Sequence, residues 1–534
     1  MDNLPSMSTL VIGAAVLAIG YLIHQSLVQQ PIPGIPHNKS SAYTILGDAL
    51  GMLGHFRKHK SVWDWASIQA GNLNSPMIQL FIRPFGKPIV FLFDIREGQD
   101  IQTKRTNEFD RSKFFGDLFA GTIPNHTIRM QTDEKFKKQR RLLMDTMSNR
   151  FLTEVAGPHV VKTSQDVVEL WVEKARLANG HAFEALEDIA HFAMDGIWAI
   201  AFGSEIGTLN THSSFLKRLD EVELPSDLDS PVVIPAPTVP ADYEALITIT
   251  KAIQPAAVSP FPLLAHWWER QSTKYRKAVA HKNRLVQERI QDAKDRMLKS
   301  TATEASINSG VDNLVYREKQ AADREGREPE YDSPNAKDEL TGFMIAGNDT
   351  SAATFSWIVK FLADSPHYQD KLRAAINDYF VGDLAKNGRP TTQALVKAQI
   401  TYLDAAVEES LRLAHTTPGA LRKSLVDTQV LGYHIPAGTD VFCMSNSFGV
   451  DVVSPWAPPE ESTRSKTSQE SKNRTGSWNP DGIMDWVPDR WLKQDEKGRT
   501  VFDFHAGPST PFGLGPRGCF GKSRPPCILV IPQY

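Results

Sequence analysis

The sequence predicts a mainly α-helical protein with small β-sheets, preceded by a single N-terminal transmembrane helix. Long stretches, above all residues 134–200, place apolar residues at helical spacing with charges between them, as in "DEKFKKQRRLLMDTM" and "SQDVVELWVEKARLA". Strand-like runs are few, short and set beside Pro/Gly turns. Near the N-terminus, Met7–Leu27 contains no acid, lysine or arginine and is long enough to cross a bilayer. The 534 residues are 41% hydrophobic and 23% charged, enough to bury a sizeable core, and no fixed-period repeat divides them. One large domain is therefore expected behind the anchor.

Residues 1–30 are read as the anchor. A cleaved signal peptide is the rival reading, but the leader carries Asp2, no basic residue and no clear small-x-small cleavage site. The first basic residues, Lys39, Arg57, Lys58 and Lys60, follow the span, which leaves the body on the cytosolic side. Residues 31–40 form a stiff hinge, because Pro31, Pro33 and Pro36 cannot continue a helix. The body, 41–534, opens with a predicted hairpin in "MIQLFIRPFGKPIVFLFD". Residues 224–262 are proline-rich and expected to be irregular. Residues 268–300 read as a charged, solvated surface helix, and Pro458–Gly482 as an exposed loop inserted in the domain.

Composition excludes little. A net charge of −3 argues weakly against a nucleic-acid partner. The three cysteines, Cys443, Cys519 and Cys527, make neither a disulfide framework nor a paired zinc pattern. Cys519 is the informative one. In "FGLGPRGCFG" (Phe512–Gly521) the glycines permit tight or left-handed backbone, so that successive N–H groups can turn toward the sulfur. A thiolate held by N–H groups beside a helix N-terminus has a lowered pKa and suits a soft or borderline metal. A single axial thiolate is the arrangement that pushes electron density onto haem iron. Taken alone, a buried unreactive cysteine is the commoner meaning.

The spacing Phe-x-x-Gly-x-Arg-x-Cys-x-Gly resembles the haem-ligand signature of the cytochrome P450 family, and other segments agree with it in family order. "AGNDTS" (Ala346–Ser351) lies in a strongly helical stretch. Small residues such as Gly347 let a planar cofactor lie against the backbone, and a Thr hydroxyl bonding back along the helix can loosen a turn. The resemblance implies that Asp349 and Thr350 steady bound dioxygen and relay protons. Glu409 and Arg412 stand at i, i+3, by themselves an exposed ion pair. The family reading makes them a Glu-x-x-Arg pair completed by Arg490 of "WVPDRW", with a structural role. Haem propionates would be held by Arg140, Arg422 and Arg517, since guanidiniums bind carboxylates bidentately. Arg140 follows Phe136 where the family usually has Trp. Leu431–Cys443, with its Pro-Ala-Gly turn, matches the family's hairpin.

The resemblance thus implies haem b bound through Cys519, with Phe512 and Gly347 beside it, and electrons from NADPH through NADPH–cytochrome P450 reductase. The implied reaction is hydroxylation or epoxidation of a hydrophobic small molecule, in secondary metabolism of the terpenoid, polyketide or indole class. Rearrangement, coupling or dehydration at the same haem is the alternative. The substrate would face 109–126, 224–262, the helix before Asp349 and Thr417–Leu421. The implied location is the endoplasmic reticulum membrane, single-pass, with the catalytic domain cytosolic. After Lys522 the sequence departs from the family: Pro525-Pro526 stops any helix and no terminal strands follow. The domain is therefore read as C-terminally incomplete, and a chain that retains haem poorly and is inactive stands as a third reading.

Overall fold

The hairpin expected in "MIQLFIRPFGKPIVFLFD" forms in the computed structural model, which describes residues 20–21, 28–299, 303–445, 448–449 and 452–522. β1 (Met77–Leu80) runs antiparallel to β2 (Ile89–Leu92), with Met77 opposite Leu92. All eight residues are buried, so the sheet is covered on both faces and both runs are continuously rather than alternately apolar. The remaining strands are β3 (Phe109–Arg111), β4 (Gly419–Ser424), β5 (Thr428–Val430), β6 (Tyr433–Ile435), β7 (Asp440–Met444), β8 (Leu492–Gln494) and β9 (Thr500–Phe502). The main sheet has the order β1-β2-β7-β4-β3, with β2 and β7 parallel and the other pairs antiparallel. Its β3–β4 register sets Arg111 opposite Arg422.

Leu431–Cys443 is not one hairpin, contrary to expectation. β6 folds back on β5 across Leu431 and Gly432, which have φ of 49° and 81°, the left-handed pair that a tight two-residue turn demands. The Pro-Ala-Gly segment instead bonds to Ser424: the Ser424 N–H donates to Thr439 O (2.9 Å) and the Gly438 N–H to Ser424 O (2.8 Å). That contact directs β7 into the main sheet.

The rest is mainly helical. The longest helix among the described residues, Pro334–Asp364, starts with Pro334 in its first turn and the Ser333 side chain accepting from the Ala336 N–H. It continues unbroken through Ala346–Ser351. The Thr350 hydroxyl does donate back to Ala346 O (2.6 Å), but the helix does not open there. Leu186–Phe202 packs against it. At Gly347 a Cβ would lie 2.6 Å from Ile197 Cδ1, so the missing side chain admits the neighbouring helix as well as leaving room on the cavity side.

Two surface assignments change. Thr273–Lys299 is not a solvated surface element, because Leu285, Val286, Ile290, Ala293 and Met297 lie in one buried cluster with Trp198 and Met344. Its apolar stripe was masked by the lysines and arginines on the other faces. Pro458–Gly482 is docked rather than loose, since Arg464 is buried and its two terminal nitrogens donate to the two oxygens of Asp94 (2.7 and 2.6 Å). In the proline-rich segment, residues 221–240 lack regular structure apart from a Phe183–Val232 bridge, whereas Ala241–Lys251, Ile253–Val258 and Pro262–Glu269 are helices. Among the described residues no helix is long and apolar enough to cross a membrane. The expected span Met7–Leu27, apart from Gly20 and Tyr21, and everything after Lys522 lie outside the described residues.

Candidate active site

Gly513 and Gly515 take φ of +58° and +67°, and a Cβ on Gly515 would fall 2.0 Å from Gln102 O. Both demands exclude any other residue at Gly515. The loop is closed by the Cys519 N–H donating to Phe512 O (2.7 Å) and tied to Gln102 Oε1 by the Leu514 N–H (3.2 Å). Cys519 thereby opens into a cavity of about 510 Å³. The lowered thiol pKa expected from the sequence is not found. Burial pushes the Cys519 thiol above the ordinary cysteine value, while the Gly521 N–H, Arg140 and Lys522 pull it back. A metal ion coordinated by this thiol would supply the deprotonation that the chain does not.

Opposite the loop, the long helix presents Gly342, Phe343, Ala346, Gly347 and Thr350 to the cavity. Asp349 is not among the lining residues, although sequence placed it with Thr350. One residue turns about 100° around a helix, and its carboxylate accepts from Asn348 Nδ2 (2.9 Å). Burial raises its pKa, with Asn348 and the Lys251 charge opposing. Residues 224–262 and Thr417–Leu421 do not reach the cavity either, whereas Arg111 and His126 from the 109–126 stretch do.

Arg140, the last residue of Glu134–Arg140, donates from Nη2 to Gly518 O (3.2 Å) and stacks on Phe520. Arg517 lies over the Phe136 ring at 3.9 Å, so the aromatic that stands in the family's Trp position carries a cation instead of donating an N–H. Its Nη2 donates to Thr127 O (3.1 Å), but Nε and Nη1, both buried, have no partner among the described residues. Arg111 Nε is in the same condition. Arg422 is buried behind the lining, across the sheet from Arg111. Burial, then Arg517 and Arg422, press the Arg111 guanidinium well below its usual range, and burial with the neighbouring arginines brings Arg517 down to about 10. Buried guanidiniums with unused donors beside an accessible thiol and a largely apolar cavity fit a flat ligand carrying two carboxylates, which is what haem is.

Sequence reading did not single out Arg111 as a cofactor residue, because nothing local marks it; only the β3–β4 pairing brings it to this cluster. Replacing it by methionine keeps the aliphatic stem and removes like-charge repulsion. The Arg111→Met chain without cofactor should be more stable by on the order of 1 kcal/mol, while haem is lost about tenfold faster. Thermal melting of the cofactor-free chain and haem transfer to an acceptor globin measure the two effects.

Glu339 was also missed. Its carboxylate accepts from the Thr127 N–H (2.7 Å) and Gln139 Nε2 (2.8 Å), and His126 Nε2 lies 3.4 Å away. Burial raises Glu339 to about 7, against those donors, and lowers His126 to about 4. A carboxyl raised from 4.5 stabilises the fold fully below pH 4.5, and that contribution is lost as pH rises through 7. Glu339→Gln removes the titration, so its folding stability, followed by thermal melting, should gain on the parent's between pH 5 and pH 8 by up to about 3 kcal/mol. A constant offset across that range would refute the assignment.

Glu409 is the centre of the structural network. It is wholly buried and accepts from Arg412 Nε and Nη2 (both 2.8 Å), Arg490 Nε (3.3 Å), Trp491 Nε1 (2.9 Å) and the Val487 N–H (3.0 Å). The two tryptophans of "DWVPDRW" had no assigned part in it. Trp491 completes the acceptor set, and Trp486 Nε1 donates to the Ser410 hydroxyl (2.9 Å).

A sequence profile of the family described as "Cytochrome P450" matches residues 75–461, stopping short of the cysteine loop. The chain is 37% identical over 521 residues to cytochrome P450 monooxygenase GME11363 of Pestalotiopsis microspora, covering 97% of this chain and 90% of that one. It is 34% identical over 534 residues to cytochrome P450 monooxygenase TRI13 of Fusarium sporotrichioides, covering 95% and 89%. Among solved structures, the haem domain of cytochrome P450DA superposes with a TM-score of 0.63 over 95% of this chain and 90% of that chain, at 16% identity, a likeness of fold alone.

Proposed function

This chain belongs to the cytochrome P450 family of monooxygenases, and we propose that it hydroxylates or epoxidises a hydrophobic small molecule of secondary metabolism, of the terpenoid, polyketide or indole class. The observation that carries the reading is the apolar cavity that joins Cys519, Thr350 and the under-partnered arginines. When bound, haem supplies the iron that accepts electrons and activates dioxygen. Cys519 would hold its iron, and Arg111, Arg140 and Arg517 would take its two carboxylates, with Arg422 buried behind Arg111.

The chain's own residues bind, exclude water and handle protons. Phe343, Leu143, Ile197 and Leu411 make most of the wall apolar, which favours a hydrophobic substrate and keeps bulk water away. Thr350 spends its hydroxyl proton on Ala346 O, so its oxygen lone pairs remain to accept a hydrogen bond at the cavity. Asp349, with its pKa raised, is a proton holder one residue further round the helix; a side-chain rotation or a water would carry the proton to Thr350.

Electrons would come from NADPH through NADPH–cytochrome P450 reductase. We place the protein at the endoplasmic reticulum membrane, single-pass, with the body cytosolic. The apolar Met7–Leu27 segment supports this. So does the exposed apolar set Leu263, Leu264, Trp267 and Trp268, with Phe261 stacked on Phe85, because tryptophans favour membrane interfaces.

The test is turnover of an apolar substrate panel by the full chain with reductase, NADPH and ¹⁸O₂. Reductase-dependent gain of one labelled oxygen atom is expected. A reductase-independent, unlabelled isomer or dehydrated product would assign the chain to rearrangement or dehydration instead.

A further inference from the structure

On the side of Leu186–Phe202 away from Gly347 lies a second cluster of chemistry-bearing groups. Asp188 and His191 stand three residues apart on one face of that helix, and His212 of Thr208–Leu216 meets them. Their exposures are 1%, 0% and 4%. One ligand-capable atom from each lies within 4.8 Å of the other two. The imidazole rings are 4.6 Å apart and nearly perpendicular, and the Tyr243 ring closes the other side of His191 at 4.8 Å.

Neither ring nitrogen of His191, nor Nε2 of His212, has a hydrogen-bond partner among the described residues. Buried polar atoms normally have partners, and three orphans at one point are a concentrated cost, of which one shared metal ion would remove two by taking one nitrogen from each ring. Burial lowers the pKa of both histidines. Asp188 accepts from Lys174 Nζ (2.7 Å) and Trp171 Nε1 (3.0 Å), outer donors of the kind that orient ligating carboxylates.

We propose that Asp188, His191 and His212 form a structural site for a divalent transition-metal ion, zinc fitting best. Two imidazoles with one carboxylate suit zinc, whereas calcium and magnesium require oxygen donors throughout. Tetrahedral zinc needs ligand atoms about 3.3 Å apart, so the side chains close by roughly 1.5 Å on binding, and water takes the fourth position. The ion joins Leu186–Phe202, the helix that packs on the cavity wall through Ile197, to Thr208–Leu216.

The test uses the untagged full-length holoenzyme, treated with chelator, desalted and titrated with zinc chloride by calorimetry and elemental analysis. One zinc per haem iron is expected, with a melting temperature raised by several degrees at saturating zinc. His191→Phe and His212→Phe should each weaken zinc at least 100-fold while leaving the haem absorption unchanged. Lys174→Met is the independent arm, because it leaves the Asp188 carboxylate buried without its ammonium. That variant should melt lower than the parent in chelator and be restored by zinc. No saturable uptake at micromolar zinc, uptake unchanged in His191→Phe, or a Lys174→Met defect that zinc does not repair would each overturn the site.

Discussion

Cys519→Ser is expected to abolish the thiolate band in the reduced carbon monoxide difference spectrum and to lower NADPH-dependent turnover at least a thousandfold, while the chain still folds. The thiol opens to the cavity and its main described partner is the Gly521 N–H, so a serine oxygen can occupy the position. The stability change should stay within about 1 kcal/mol, because no packed volume is removed. What would disappear is the proposed thiolate ligand, whose donation of electron density to iron a hydroxyl cannot replace at neutral pH. Urea denaturation of the two proteins separates chemistry from folding. A Cys519→Ser protein that keeps the thiolate band would show that another residue is the ligand.

Glu409→Ala should do the reverse, weakening the fold itself and, through the fold, the haem site. Arg412 and Glu409 have no exposed side-chain surface, and removing the carboxylate leaves the guanidinium charged and buried. Breaking such a pair costs about 3–5 kcal/mol against a total stability of ~5–15 kcal/mol. The loss also travels toward the cysteine loop. Trp491, which donates to Glu409, packs on Trp478 (4.9 Å), and Trp478 Nε1 donates to Pro508 O (2.9 Å), four residues before Phe512. At Gly507 a Cβ would fall 2.3 Å from the Trp478 ring, so this approach is tight. A fall in denaturation midpoint together with poor haem incorporation is the expected pair of results. Arg490→Lys, at the partly exposed edge of the network, should cost only about 1 kcal/mol. Equal losses in the two variants would mean that Glu409 is not the centre.

Much of the site was legible because its signals are local. The Phe512–Gly521 spacing works through backbone turns within ten residues, and the Glu409–Arg412 pair through one helical turn. The first hairpin was legible for the same reason: its Pro/Gly turn and two apolar runs are contiguous. The failures share a cause as well. Leu431–Cys443 looked like a hairpin until Ser424 captured its turn, and the Thr273–Lys299 stripe stayed hidden until a core formed against it.

By itself, then, the sequence determined the family, the order of the motifs and the glycine turn that presents Cys519, because that turn is written in neighbouring residues. Tertiary structure alone decided that Arg111 joins Arg517, that Glu339 meets His126, that Asp349 turns away from the cavity beside Thr350, and that His191 faces His212. Each of those depends on which faces of distant elements meet. Burial and the field of neighbouring charges, which set the protonation of these groups, exist only once the chain has packed.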